Sequence, residues 1–147
     1  MPPLLQIRQR YRKVGGVLAE RSRSVNARPA SFFSGGEFVD VSVINHGTAT
    51  LIRLRGSLKL GNGVEDLTKT FEQVFQQGQK KVVLSIAEVP MVDSSGIGLL
   101  VRSHTHCVKQ GGGITLVQPS KFVIQTLQLV GVLRLFPVAE SEEQGLA

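Results

Sequence analysis

The amino-acid sequence predicts one α/β domain with a mixed sheet of four to five strands. The predicted order is β-β-α-β-α-β-α-β, with the helices mainly on one face of the sheet. Three observations carry this prediction: two alternating segments near residues 40 and 52, three later segments with helical apolar spacing, and short apolar runs between those helices. Repeated right-handed βαβ crossovers that move one way along a sheet place their helices on the same face. The chain has 147 residues, enough for one compact domain and too few for two ordinary ones.

The first two strands are predicted by alternation of apolar and polar residues. Val39, Val41 and Val43 alternate with polar neighbours, and residues 51–55 alternate again after a turn-forming run at 45–48. An antiparallel hairpin with one face exposed to solvent is therefore expected at the edge of the sheet.

Three helices are predicted by stripes of apolar residues at three- and four-residue spacing. The first follows the loop 56–63 and ends near 78, the second begins at Ser94 or Ser95 and ends before 111, and the third runs from 119 to 131. The residues expected to face inward are Val64, Leu67, Phe71, Val74 and Phe75 in the first helix, Ile97, Leu100, Val101, His104 and Val108 in the second, and Val123, Ile124, Leu127 and Val130 in the third.

The remaining strands are predicted from the apolar runs beside these helices. Residues 82–86 lack polar alternation over most of their length, as expected for a strand that is covered on both faces. Residues 114–117 and 133–138 supply the next strand and the last one, and the acidic residues 140–143 predict a short helix start or a frayed end.

The N-terminal part of the chain differs from the rest in composition. Residues 1–36 are broken by two glycine pairs and a proline, and they are predicted to be a basic, disordered tail in front of a domain at 37–147. Apolar residues from Leu4 to Val14 at near-helical spacing leave open a short amphipathic helix on an anionic membrane. An organelle transit peptide is a third interpretation of the same composition.

Charge and hydropathy exclude several classes of protein. The net charge of +6 lies entirely in residues 1–36, which hold seven basic side chains against one acidic, whereas the rest of the chain holds ten of each. A neutral domain argues against direct binding of nucleic acid. No apolar run approaches the roughly 20 residues that span a bilayer, so no stable membrane insertion is expected. The single cysteine, Cys107, fits a cytoplasmic protein without disulfides.

Candidate functional residues are concentrated between the 82–86 strand and the second helix. Here Asp93, Ser94 and Ser95 stand where a helix begins. Unpaired backbone N–H groups at such a position favour a phosphate group. The two serines are therefore candidate helix caps and a candidate regulatory site, two roles that are compatible, and Asp93 is expected to hold the loop by bonding backbone N–H groups.

Catalytic and metal sites are disfavoured by spacing. His104 lies ten residues beyond Ser94 on one predicted helix, about 15 Å along its axis, which excludes a Ser-His-Asp site. His104 and His106 point apart on a helix and do not form a metal pair; His104 is expected to pack in an apolar face and His106 to be solvated. The glycine run at 111–113 lacks the Lys-Ser/Thr of a phosphate-binding loop. These spacings disfavour enzyme activity and a catalytic residue, and no metal or cofactor is expected.

The stretch Val92-Asp93-Ser94-Ser95-Gly96-Ile97-Gly98 resembles the D-S-[ST]-G-[LI]-G signature of the STAS domain found in bacterial anti-sigma factor antagonists. The glycines before the last two strands are also similar to that family's pattern, over about residues 38–140. The resemblance implies a cytoplasmic, protein-binding phosphoswitch. The unphosphorylated protein would bind an anti-sigma factor and so free a sigma factor. That anti-sigma factor, also a serine kinase, would phosphorylate Ser94 (Ser95 being the runner-up), and a phosphatase would reset it.

The resemblance also implies a partner-binding face, formed with the exposed side of the second helix. Its implied residues are Asp93, Ser94, Ser95, Gly96, Ile97, Gly98, Ser57, Leu58 and Lys59. Antagonists commonly carry acidic residues in the loop after the second strand, whereas this loop has Lys59 and no acid before Glu65. The alternative is a STAS subunit of an ABC-type lipid transporter or of a stress-signalling complex, in which the serines act only as helix caps.

Overall fold

The structure is a computed structural model that describes residues 8–12, as backbone only, and residues 39–147. These residues form one sheet of six strands in sequence order. The strands are β1 (Arg8–Arg12), β2 (Asp40–His46), β3 (Ala49–Arg55), β4 (Lys81–Glu88), β5 (Gly113–Val117) and β6 (Val138–Ala139). The expected count of four to five strands therefore holds for residues 39–147, and β1 adds a sixth.

The sheet is mixed, as the sequence predicts. β1, β2 and β3 pair antiparallel, whereas β3, β4, β5 and β6 pair parallel. The carboxyl ends of β3 and β4 consequently lie at the same edge of the sheet, and the chain leaves both of them into the loops that form the candidate site.

Four helices cover this sheet: α1 (Asn62–Gln76), α2 (Ser94–Lys109), α3 (Lys121–Val130) and α4 (Glu142–Leu146). The first three bury Leu67, Leu100 and Leu127 in the main core. The short α4 packs Leu146 against a smaller cluster on the opposite face. The prediction of helices mainly on one face is confirmed. None of the helices in the described residues has the length and apolar composition of a membrane span.

Two of the predicted inward-facing residues are exposed. Val108 of α2 is 52% exposed and Val130 of α3 is 56% exposed. In α2 the buried stripe includes Leu99, Ser103 and Cys107, so it is rotated away from the predicted Val108 by one residue. The predicted stripe, which contains Val108, and the observed one, which contains Cys107, have similar hydropathy. The packing of α2 against α1 and β5 determines which of the two is buried.

The last predicted strand is wrong over most of its length. Leu133–Leu135 forms a 3-10 helix, and β6 is only two residues long. Pro137 has no N–H group to donate to a sheet, and its carbonyl accepts from Leu116 N–H at 2.9 Å. The acidic residues that follow do form a short helix, α4, with Ser141 as its cap.

The structure also differs from the expected disordered tail at residues 8–12. These residues form β1, which pairs antiparallel with β2 so that Arg12 stands opposite Asp40. They are thus neither outside the sheet nor part of a helix. Without β1 the backbone groups along one side of β2 would form a free edge, which a neighbouring strand can pair. The other residues of the expected tail and of the expected amphipathic helix lie outside the described residues.

Candidate functional site

The two segments that the sequence singles out meet at the carboxyl edge of the sheet. Leu58, from the loop after β3, forms a parallel bridge with Val92, from the loop after β4. Leu58 N–H donates to the Met91 carbonyl at 3.0 Å, and Asp93 N–H donates to the Leu58 carbonyl at 3.2 Å. The loop 56–63 and the start of α2 therefore form one joined surface.

Asp93 is the residue that holds this surface together. Its Oδ1 accepts from Gly96 N–H at 2.9 Å, which makes Asp93 the N-cap of α2. Its Oδ2 accepts from Leu60 N–H at 3.0 Å, across to the other loop. The expected structural role of Asp93 is confirmed, whereas neither serine is the cap of α2.

The electrostatics of Asp93 follow from these contacts. Burial raises the pKa of its carboxyl group, but hydrogen bonds from the N–H groups of Leu60, Gly96 and Ser95, together with the charge of Lys59, lower that pKa below its usual value overall. The carboxylate is therefore ionised at neutral pH and adds negative charge beside Ser94.

The lowered pKa of Asp93 predicts a pH-dependent contribution to stability. Because the folded-state pKa lies below the unfolded value, the contribution is present above about pH 4 and is lost as the pH falls through the folded-state pKa. We expect the difference in unfolding free energy between wild type and Asp93→Asn to shrink as the pH is lowered from about 5 to about 2. Urea unfolding at several pH values measures this difference; asparagine is the matched control because it can still cap the helix. A difference that stays constant with pH would contradict the prediction.

The two serines differ in exposure. Ser94 is the first residue of α2 and is exposed, whereas Ser95 is half-buried. Gly98, on the next turn, is also half-buried. Of the two candidate hydroxyls, that of Ser94 is the more accessible to another protein.

Three of the predicted partner-binding residues are buried and serve the fold. Leu58 and Ile97 lie in the main core. Gly96 packs so closely on the first loop that a Cβ atom there would lie 2.4 Å from the Leu58 carbonyl oxygen. The side chains of Leu58 and Ile97 are therefore not accessible to a partner, and Gly96 is needed for the two loops to approach each other.

The sequence predicts a partner-binding role for the loop 56–63 and singles out Ser57, Leu58 and Lys59, but it does not single out Leu60, which the fold exposes beside Asp93. Leu60 is 76% exposed, whereas Leu58 is 1% exposed. Ser57, before Leu58, and Lys59, between the two leucines, are half-buried. The local sequence does not distinguish the two leucines, since both stand in the same loop with polar or glycine neighbours. The accessible face of the site consists of Ser94, Lys59, Leu60 and Gly98.

The histidines do not form a reactive site with Ser94. His104 Nδ1 accepts from Ile114 N–H at 3.0 Å, and its ring lies 4.8 Å from that of Phe136. Burial lowers the pKa of His104, opposed by a backbone hydrogen bond to Leu135. His106 is exposed, and its ring stacks on Phe75 at 4.3 Å. In the part of the chain that the structure describes, no three His, Cys, Asp or Glu residues are grouped to hold a metal ion.

Comparison with known proteins agrees with this architecture. A sequence model of the STAS domain family matches residues 40–145. The chain is 22% identical to the anti-sigma F factor antagonist of Paenibacillus polymyxa over 110 residues, which are 74% of this chain and 92% of that protein.

Two solved structures of similar proteins extend the comparison. The anti-sigma factor antagonist SpoIIAA, in its unphosphorylated form, superposes with a TM-score of 0.60 at 25% identity, over 70% of this chain and 90% of that one. An anti-sigma factor antagonist (STAS) domain protein from Planctomyces limnophilus gives a TM-score of 0.63 at 25% identity, over 72% of this chain and 95% of that one. The resemblance inferred from the signature is confirmed.

Proposed function

The chain belongs to the STAS domain family, and from this premise we propose that it is an anti-sigma factor antagonist, a cytoplasmic protein-binding switch that is not itself an enzyme. The observation that carries the proposal is that Ser94 is exposed at the start of α2, next to Asp93, which caps the helix and bonds to the other loop. Similarity to proteins named as anti-sigma factor antagonists supports it.

In the unphosphorylated state, the protein would bind an anti-sigma factor through Ser94, Lys59, Leu60 and Gly98, together with the exposed side of α2. Leu60 supplies exposed apolar area next to Asp93, and Lys59 supplies positive charge. A central apolar contact with polar groups around it is the usual composition of a protein interface. Binding would release the sigma factor that the anti-sigma factor holds.

Phosphorylation would switch this surface off. The anti-sigma factor, acting as a serine kinase, transfers the γ-phosphoryl group of ATP to Ser94 Oγ, which loses its proton as ADP leaves. A phosphatase then hydrolyses the phosphoserine with water, and inorganic phosphate is released. The phosphate adds a charge of about −2 next to the ionised Asp93. Repulsion of acidic partner groups and the cost of burying this charge both weaken binding.

The test is a tagged pull-down of the full chain from the native cells, with wild type, Ser94→Asp and Ser94→Asn in parallel and with the partners identified by mass. We expect Ser94→Asp to bind the anti-sigma factor at least about tenfold more weakly, a change of roughly 1.4 kcal/mol. Asparagine has nearly the same shape as aspartate but carries no charge, so Ser94→Asn should retain most of the binding.

Two outcomes would count against the proposal. Equal recovery of the same kinase by wild type and Ser94→Asp would exclude a charge switch at Ser94. Recovery of a transporter ATPase by all three proteins would instead support the alternative, a constitutive transporter subunit. Mass analysis of the protein from the same cells, beside Ser94→Ala, tests whether Ser94 rather than Ser95 carries phosphate.

A further inference from the structure

Ser94, Gly98 and Arg102 lie on one face of α2. Their spacing of four residues places them on successive turns, where Cβ positions four residues apart are about 5–6 Å from each other. Ser94 and Arg102 are both exposed. Gly98, which lies between them on this face, has no side chain, so the face is open from Ser94 to Arg102.

The side chain of Arg102 extends along this open face toward Ser94. A Cβ atom at Gly98 would lie 3.2 Å from Arg102 Nη1, so the guanidinium group lies over Gly98, one turn closer to the helix N-terminus than its own Cα atom. Long helical side chains usually lean in this direction. The guanidinium group therefore ends about one turn from Ser94, within reach of a group that extends beyond the serine hydroxyl.

Arg102 is not engaged by an acidic side chain of the described residues. The ion pairs in that part of the chain join Arg53 to Glu142 and Arg55 to Asp40 and Glu88. Asp93, the carboxylate nearest in sequence to Ser94, uses its two oxygens to accept from Gly96 and Leu60. The arginine thus remains available for a new anion on the same helix face.

We propose that Arg102 is the intramolecular partner of a phosphoryl group on Ser94, which it binds across the open face at Gly98. This inference rests on the proposed function, because it assumes that Ser94 is the phosphoacceptor. Arginine and phosphate form strong, charge-assisted hydrogen bonds, often two at once. Phosphorylation would then make two changes together: it adds negative charge at Ser94 and withdraws the cation of Arg102 from the partner-facing side of α2.

The pairing also offsets a cost of phosphorylation. A dianion at Ser94 is repelled by Asp93, and Lys59 already interacts with that carboxylate. A guanidinium group on the phosphate relieves this repulsion without a change of fold.

The experiment uses the full chain with phosphoserine encoded directly at position 94, so no kinase is needed. The second ionisation of the phosphate is followed by phosphorus NMR during a pH titration at low salt. A free phosphoserine has this pKa at about 6. A nearby guanidinium group favours the dianion, so we expect Arg102→Gln to raise the phosphate pKa by roughly half a pH unit or more relative to the parent.

Two further variants make the result specific. Lys109→Gln removes an exposed cation from the other end of α2, about 22 Å along the axis from Ser94, and should leave the phosphate pKa unchanged. Gly98→Leu inserts a side chain between the serine and the arginine, and should raise the pKa as Arg102→Gln does. Circular dichroism of each protein checks that the fold is retained.

Equal phosphate pKa values in the parent and in Arg102→Gln would overturn the inference, as would a shift that appears only in Lys59→Gln. These outcomes are independent of the test of the proposed function. A pKa shift with Arg102→Gln, combined with equal partner recovery by wild type and Ser94→Asp, would support the ion pair and contradict the switch. Loss of the partner by Ser94→Asp, with the same phosphate pKa in the parent and in Arg102→Gln, would support the switch and contradict the ion pair.

Discussion

Replacing Leu58 with alanine is expected to lower the free energy of unfolding by about 2–5 kcal/mol, the usual cost of truncating a fully buried leucine. Leu58 is 1% exposed and lies in the main core although it belongs to a loop. Its backbone also bonds to Met91 and Asp93, so the cavity would open at the joint between the two functional loops. Urea unfolding, with the midpoint and slope compared between proteins, measures the loss.

Leu60→Ala is the matched control for this change. It removes the same atoms from the same loop, but Leu60 is 76% exposed, so we expect its unfolding free energy to stay within about 0.5 kcal/mol of wild type. A similar loss of stability in both variants would contradict the burial pattern described for this loop.

Gly96→Ala is expected to destabilise the protein by about 1–3 kcal/mol, as overpacking of a dense core does. The added Cβ atom would lie 2.4 Å from the Leu58 carbonyl oxygen and 2.8 Å from Leu58 Cγ. The first of these atoms is backbone and is held in the bridge to Val92, so it cannot move without separating the two loops.

Gly98→Ala, two residues further along α2, is expected to have the opposite effect. Its Cβ atom would meet only Arg102 Nη1, the far end of a flexible side chain, at 3.2 Å. Alanine in a helix interior is up to about 1 kcal/mol more favourable than glycine. Thermal or urea unfolding of the two variants together tests the contrast, and an equal change in both would show that the contact of Gly96 with Leu58 does not control stability.

The sequence by itself determined the order of the elements from β2 to α3, the mixed sheet and the position of the candidate site. These follow from local patterns: alternation identifies the β2–β3 hairpin, uninterrupted apolar residues identify β4, and the residues around Asp93 combine capping chemistry with a family signature. Local pattern is enough to assign most of these elements because alternation is typical of a strand and apolar spacing of three and four residues is typical of a helix.

The sequence was less informative where two local solutions have similar energy. The stripe of α2 could have included Val108 or Cys107, and packing against α1 and β5 selects Cys107. Residues 133–138 are apolar enough for a strand, but Pro137 and the burial of Phe136 favour a 3-10 helix followed by two paired residues. The pairing of Arg8–Arg12 with β2 could likewise not be predicted from the sequence, because the composition of that segment predicts disorder.

Only the tertiary structure decided which residues of the candidate site face outward. It brings two loops, 33 residues apart in sequence, together through Asp93 and Leu60. In doing so it buries Leu58, exposes Leu60, makes Asp93 rather than either serine the cap of α2, and leaves Ser94 accessible. The physical reason is that the exposure of side chains in a loop follows no regular spacing along the sequence. It depends on which side chain packs against a neighbouring element, and here Leu58 packs against Gly96.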